Sequence, residues 1–311
     1  MRERASVREV GPRDGIQMVQ AVMSTERKLA WCRGAAAAGI GEIEVTSFVP
    51  VKVVPQFGDA EAVARGAIAM GGFTASALVP NLKGAERAIA IGLPRINYVL
   101  SASEEHNLAN VRRTTDESVA DFKRIVTLRD GAEGPRTMLG AGIATAFGCT
   151  IQGDVPEERV VDLAIQLAEV GADEIMVADT VGYGDPGQVR RILRNVVEAV
   201  RPLPVAAHFH DTRGLGLANV ASALEAGVRA FDASLAGLGG CPFAPGATGN
   251  IDTEDTVFLL ERLGFDTGAD VEALIELRRE VETWLPGERF SGAIARAGLP
   301  KTDRRPVAAA A

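Results

Sequence analysis

The chain has 311 residues, 47% of them hydrophobic, with a formal net charge of −8. It can bury a large core, it has no apolar run long enough to span a bilayer, and its N-terminus lacks a basic-then-apolar signal pattern. The acidic balance, without a long basic run, argues against a nucleic-acid binder but leaves room for a phosphorylated substrate held by a few local cations.

In chain order, eight strand-like segments stand out: Ser6–Val10, Glu42–Thr46, Phe73–Val79, Arg95–Leu100, Thr137–Ile143, Glu174–Ala178, Val205–His210 and Ala230–Leu235. Each is followed by a helical or glycine-punctuated stretch. Strand–helix alternation forces parallel pairing with helices covering the sheet. Eight such units close into a (β/α)8 TIM barrel. One unit shows the pattern. Asp154 is expected to cap a helix, with Pro156 in the first turn and Glu157 three residues after the cap. Val160, Val161, Ala164, Leu167 and Ala168 then recur on one helical face, and Gly171 ends the run. The units beginning at Thr25 and Asp185 read alike. No Pro/Gly/Ser-rich linker divides the chain, so residues 1–265 are expected to form the barrel. Residues 266–311 are expected to be a helical extension of the same domain, with the tail after Pro306 fraying.

The sharpest local signal is His208-Phe209-His210-Asp211. Residues two apart on a strand share a face, so both imidazoles can reach one ion while Phe209 turns away. The alternative is a pair of ordinary strand-end histidines, one bonded to Asp211. Asp14, Glu44 and Asp179 fall at or near the carboxyl ends of other strands, which in a barrel open on one face. A lone acid there is more often a loop or helix cap, but their joint placement with the histidines points to a shared pocket. One carboxylate, two imidazoles and an amide suit six-coordinate Mg2+ or Mn2+.

After the eighth strand comes a glycine-rich stretch, Gly237–Asn250. It matches neither a dinucleotide fingerprint nor a P-loop, and it reads as a lid carrying Cys241 as a proton donor or acceptor. Asn250, at its end, can return an amide oxygen to the ion. Cys32 and Cys149 read as inert thiols. Three cysteines with no CxxC pair point to reduced thiols and a cytoplasmic location.

Taken together, Val10-Gly11-Pro12-Arg13-Asp14-Gly15-Ile16-Gln17, Glu44-Val45-Thr46-Ser47-Phe48-Val49, Asn81-Leu82-Lys83-Gly84, His208-Phe209-His210-Asp211-Thr212 and the Gly237–Asn250 stretch strongly resemble the 3-hydroxy-3-methylglutaryl-CoA lyases. That family belongs to the metallolyase barrels that also include isopropylmalate and homocitrate synthases. The resemblance runs from Val7 to Gly268. It implies that Asp14, His208, His210 and Asn250 are metal ligands. It implies that Arg13 faces the thioester oxygen, that Cys241 is the catalytic lid cysteine, and that Glu44 and Asp179 support the site. Gln17 and Ser47, within the matching motifs, are expected at the substrate. The implied reaction cleaves an acyl-CoA, 3-hydroxy-3-methylglutaryl-CoA, to acetoacetate and acetyl-CoA.

Two stretches depart from the lyase pattern. Gln17-Met18-Val19-Gln20 stands where Gln-Asn-Glu-Lys is usual, and Thr212-Arg213-Gly214-Leu215 where Thr-Tyr-Gly-Gln is usual. Both adjoin the metal ligands. They admit another 3-hydroxyacyl-CoA, such as citramalyl-CoA, as the alternative substrate. Arg213 is then either a contact for the substrate carboxylate or a solvated surface cation. Lys52, Lys83 and Arg87 are similarly either contacts for CoA phosphates or solvated. The rivals are a condensing enzyme running the reverse bond formation, and a non-catalytic barrel that binds acyl-CoA or metal. The C-terminal helices could form a homodimer surface.

Overall fold

A computed structural model describes residues 2–240 and 249–301. Its eight strands are β1 (Ser6–Glu9), β2 (Glu42–Ser47), β3 (Thr74–Leu78), β4 (Arg95–Ser101), β5 (Met138–Ala144), β6 (Glu174–Asp179), β7 (Val205–Phe209) and β8 (Ala230–Ala233). Every neighbouring pair is parallel, and the order runs β1 to β8 before closing on β1. The expected TIM barrel is therefore present. The closing seam is paired over four residues, Ser6–Glu9 against Ala230–Ala233.

The covering helices follow in turn. They are α1 (Thr25–Ala37), α2 (Ala60–Met70), α3 (Leu82–Ala90), α4 (Glu104–Val111), α5 (Thr115–Asp130), α6 (Glu157–Val170), α7 (Pro186–Val200), α8 (Gly216–Glu225) and α9 (Thr253–Arg262). Then come α10 (Val271–Trp284), which packs on α1 and α9, and the short α11 (Ile294–Ala297). The helical content expected after residue 265 is present through these two; the fraying tail lies outside the described residues.

Side-chain period explains the layers. In α7, Val189, Ile192, Leu193, Val196 and Val200 are buried on one face, and Asp185 caps the helix by accepting from the N–H groups of Gly187 and Gln188. The α6 unit departs from expectation. The helix begins at Glu157, Pro156 precedes it, and no side chain among the described residues caps it. Asp154 is exposed in the loop before it. Proline fixes its own φ and supplies the turn into the helix without a capping oxygen.

Candidate metal centre

The strand ends deliver the side chains. Just after β1, Gly11–Gly15 form one wide helical turn. The N–H of Gly15 bonds the carbonyl of Val10 at 3.3 Å, and that of Ile16 bonds the carbonyl of Gly11 at 3.1 Å. Such five-residue turns recur at functional sites. Arg13 and Asp14 leave this turn as an ion pair.

His208 lies within β7 and His210 just beyond its end, where it makes an isolated antiparallel bridge with Asn250. The segment after the glycine-rich stretch is stitched onto this strand end. Asp211 N–H donates to the carbonyl of Gly249 (2.9 Å), and Ile251 N–H to that of Phe209 (3.0 Å). Phe209 turns the other way, with its ring 6.1 Å from that of Phe147. Gly239 has φ +118°, and a Cβ there would stand 2.5 Å from Nδ2 of Asn250. Only glycine fits this close approach.

Asp14, His208 and His210 each offer a ligand atom within 4.8 Å of the others. His210 Nε2 lies 3.2 Å from His208 Nε2 and 3.9 Å from Asp14 Oδ2. Two imidazole nitrogens facing each other beside a carboxylate make a poor hydrogen-bonded set but a good ligand set. Asn250 Nδ2 donates to Asp14 Oδ2 (2.7 Å) and to the carbonyl of Leu238 (3.0 Å), while its buried Oδ1 has no partner among the described residues. A cation beside Asp14 would give an amide oxygen a partner, so the donors present fit the mixed oxygen and nitrogen set expected for Mg2+ or Mn2+.

The electrostatics favour ligation by Asp14 and His210, whereas His208 is drawn toward its protonated form by Asp232 and Asp14 despite its burial. Burial opposes charge on Asp14, yet Arg13, His208 and His210 outweigh it and hold the carboxyl below its usual range. Burial and the neighbouring His208 lower His210 to about 4, leaving it neutral and able to ligate.

The interior beneath these residues is ionic, where a barrel of this kind is usually filled by branched apolar side chains. Glu44 accepts from Arg13 Nε and from Asn97 Nδ2 (3.0 Å). Arg95 donates to Asn97 Oδ1 (3.1 Å) and Glu174, and lies 3.1 Å from Glu42. Arg8 bridges Glu174 (2.5 Å) and Asp232 (2.7 Å). Asp232 in turn faces His208 Nδ1 at 3.3 Å. With every carboxyl ionised, three guanidinium groups meet five carboxylates in this connected network. The surplus is two negative charges while His208 is neutral. Burial opposes charge on His208, but its bond to Asp232 and the Asp14 charge outweigh that and raise its pKa. A protonated His208 therefore offsets one of the two charges, and a divalent cation bound in place of that proton offsets both. Uncompensated buried charge is strongly unfavourable.

The other expected residues are placed as follows. Asp179 turns its carboxylate to the N–H groups of Tyr183 (2.9 Å) and Gly184 (3.0 Å), bracing the loop after β6; burial lifts it to about 6. Asp211 accepts from Gly216 N–H at the start of α8, as a loop acid does. Ser47 is buried, with Oγ accepting from Val49 N–H at 3.3 Å. Gln17 N–H donates to the carbonyl of Asp14 at 3.3 Å. Arg213 bonds the carbonyls of Val181 and Gly182 and stacks 4.4 Å over the Tyr183 ring, lining a cleft of about 460 Å³ with Asp154, Gln188 and Arg191. Arg87 pairs with Glu61 and stacks on Phe48, while Lys52 and Lys83 are exposed. Cys32 and Cys149 are buried and free. Cys241 lies outside the described residues.

Arg8, Arg95, Asn97, Glu174 and Asp232 were not foreseen. Their signal is a charged or polar residue at inward strand positions, alternating with apolar residues that face the helices. Scanning strands for apolar runs passes over it.

The class is thus a (β/α)8 barrel with a candidate divalent-cation centre at its C-terminal mouth. A family model described as HMGL-like matches residues 4–281. Hydroxymethylglutaryl-CoA lyase YngG of Bacillus subtilis is 39% identical over 280 residues, covering 90% of this chain and 93% of the relative. The (R)-citramalyl-CoA lyase of Chloroflexus aurantiacus is 40% identical, covering 88% of each chain. The solved structure of an HMG-CoA lyase from Acinetobacter baumannii, in complex with coenzyme A and 3-methylmalate, matches with a TM-score of 0.90 at 42% identity and covers 98% of both chains. The chain belongs to the HMG-CoA lyase family.

Proposed function

We propose that the protein cleaves 3-hydroxy-3-methylglutaryl-CoA to acetoacetate and acetyl-CoA in a Mg2+- or Mn2+-dependent reaction. The observation that carries this reading is the convergence of Asp14, His208 and His210 within 4.8 Å, with Arg13 paired to Asp14.

Asp14, His208 and His210 would hold the ion, with Asn250 as a further ligand. When bound, the cation supplies Lewis acidity that lowers the pKa of the tertiary alcohol. The chain supplies the rest. The base that accepts the proton of the 3-hydroxyl is Asp14, because His208, with Nε2 toward the ion and Nδ1–H toward Asp232, has no lone pair left for it. The C3–O bond gains double-bond character as the C2–C3 pair moves to C2. Acetoacetate leaves, and the enolate of acetyl-CoA remains. Arg13, fixed between Glu44 and Asp14, places its guanidinium against the developing enolate oxygen without reorganising. The Cys241 thiol then protonates C2. Glu44 and Asp179 support the site, and Gln17 and Ser47 belong to the substrate side.

A second reading is favoured by the (R)-citramalyl-CoA lyase relative and by the departures at Met18-Val19-Gln20 and Arg213-Gly214-Leu215. In it, citramalyl-CoA is split to pyruvate and acetyl-CoA by the same bond changes. Purified protein is given each thioester with Mg2+, then with EDTA. Acetoacetate release abolished by EDTA supports the main reading. Pyruvate release alone moves the protein to the second, and condensation of acetyl-CoA with a 2-oxoacid would replace both. Arg213→Tyr is expected to shift the preference between the two thioesters; an unchanged ratio removes Arg213 from acyl recognition.

A further inference from the structure

The ionic floor of the barrel calls for a reason. Replacing buried ion pairs with packed apolar residues is often neutral or stabilising, so stability alone does not account for Arg8, Glu174 and Arg95 at the centre. Their geometry suggests one. Arg8 projects inward from β1 and divides its fork. Nη1 takes Glu174 Oε1 at 2.5 Å, and Nε takes Asp232 Oδ1 at 2.7 Å. Glu174 is held on its other side by Arg95. Gly140 leaves the room these groups need, since a Cβ there would overlap Asn97 and approach Arg95.

The Asp232 carboxylate is therefore clamped by one oxygen. Its other oxygen, Oδ2, faces Nδ1 of His208. An imidazole that donates its Nδ1–H to a carboxylate presents a bare Nε2, and such outer partners fix the orientation and basicity of a metal-binding histidine. The bare nitrogen is the one that meets His210 Nε2 and the Asp14 group.

We propose that Arg8 is a positioning residue for the metal centre. It anchors Asp232, and Asp232 sets the tautomer and direction of His208. This rests on the metal reading above, and the tautomer can be tested without metal.

The chain has three histidines, so the ring nitrogens of the 15N-labelled full-length protein give a simple long-range 1H–15N spectrum. Metal-free native protein at alkaline pH is expected to show His208 with the proton on Nδ1. Asp232→Asn and Arg8→Met are expected to show a mixture of tautomers. Mn2+ alone is then titrated in, with free Mn2+ followed by electron paramagnetic resonance. Both variants are expected to bind about 10- to 100-fold more weakly than native. Arg8→Lys, which keeps a cation between the two carboxylates, is expected to restore most of that affinity and provides the test if Arg8→Met fails to fold. Native-like tautomer and native-like Mn2+ affinity in Asp232→Asn would overturn the proposal, as would equal losses in Arg8→Lys and Arg8→Met. Native protein that binds no Mn2+ would overturn the metal reading instead, while the tautomer shift in the variants still decides the role of Arg8 and Asp232.

Discussion

Arg13 is the residue whose loss most directly separates charge stabilisation from folding. It is buried, paired with both Glu44 and Asp14, and held rigidly at the mouth. Arg13→Met is expected to lower kcat about 10²- to 10³-fold, the scale of losing one preorganised charge partner, as read by steady-state thioester cleavage. A loss below tenfold would place the developing charge elsewhere. Cys32 makes the opposite case. Burial pushes its thiol up to about 12, with the nearby Glu9 adding to the effect. It should resist iodoacetamide at pH 8 in the folded protein and react only after denaturation, as peptide mass mapping would show. Labelling of Cys32 without denaturation would contradict its burial. At this scale the sequence was informative where chemistry is unusual. Two histidines spaced by one residue and an Arg-Asp pair announce themselves, whereas Asp232 and Arg8 look like ordinary strand residues. Their meaning comes from inward parity, which becomes visible only when all strands are aligned.

Single loops are fastened by Glu9, which points outward from the end of β1. Its Oε1 accepts from the N–H groups of Gly11 (2.8 Å) and Leu235 (3.0 Å), and Oε2 from the Thr253 hydroxyl (2.7 Å). One side chain thus ties the turn carrying Asp14 to the segment after β8 and to the start of α9. Burial outweighs these hydrogen bonds and raises its carboxyl from 4.5 to about 7. The folded state therefore holds this proton more tightly than the unfolded chain does. The resulting stability is full below pH 4.5 and is lost as pH rises through 7, amounting to about 3 kcal/mol. Glu9→Gln keeps an acceptor for the two N–H groups and removes the titration. Urea unfolding at pH 5 and pH 8 should show native protein losing stability relative to this variant at the higher pH; a constant difference would refute the shift. The elements themselves were largely legible, because β-rich apolar runs and helical periodicity arise from each segment's own residues. Their ends were less so. β8 stops at Ala233 rather than Leu235 because Leu235–Gly237 turn into a short 3-10 segment, and that turn depends on Glu9, more than 200 residues away.

The whole molecule is a ring closed between its first and last strands, and the candidate ligands sit on that closure. Asp14 follows β1, His208 lies within β7 and His210 just past its end, and Asn250 follows β8, bonding Asp14 across 236 positions of sequence. Removing metal with EDTA should lower the melting temperature, since an ion at 100 times its dissociation constant adds about 2.7 kcal/mol to the folded state. An unchanged melting temperature after verified metal removal would argue against an ion at this position. The architecture adds a direction to that expectation. Between β1 and β2 a single residue pair, Glu9 and Ile43, is in register, so β1 is held largely by β8 and by whatever joins the turns above them. A cation here is a clasp on a hoop. With it fastened, opening must spread from elsewhere; with it undone, the hoop parts first around β1, which one register pair joins to β2 and four join to β8. Hydrogen exchange should therefore quicken on metal removal in β1, β7 and β8, while β3 to β5, on the far side of the ring, keep their protection.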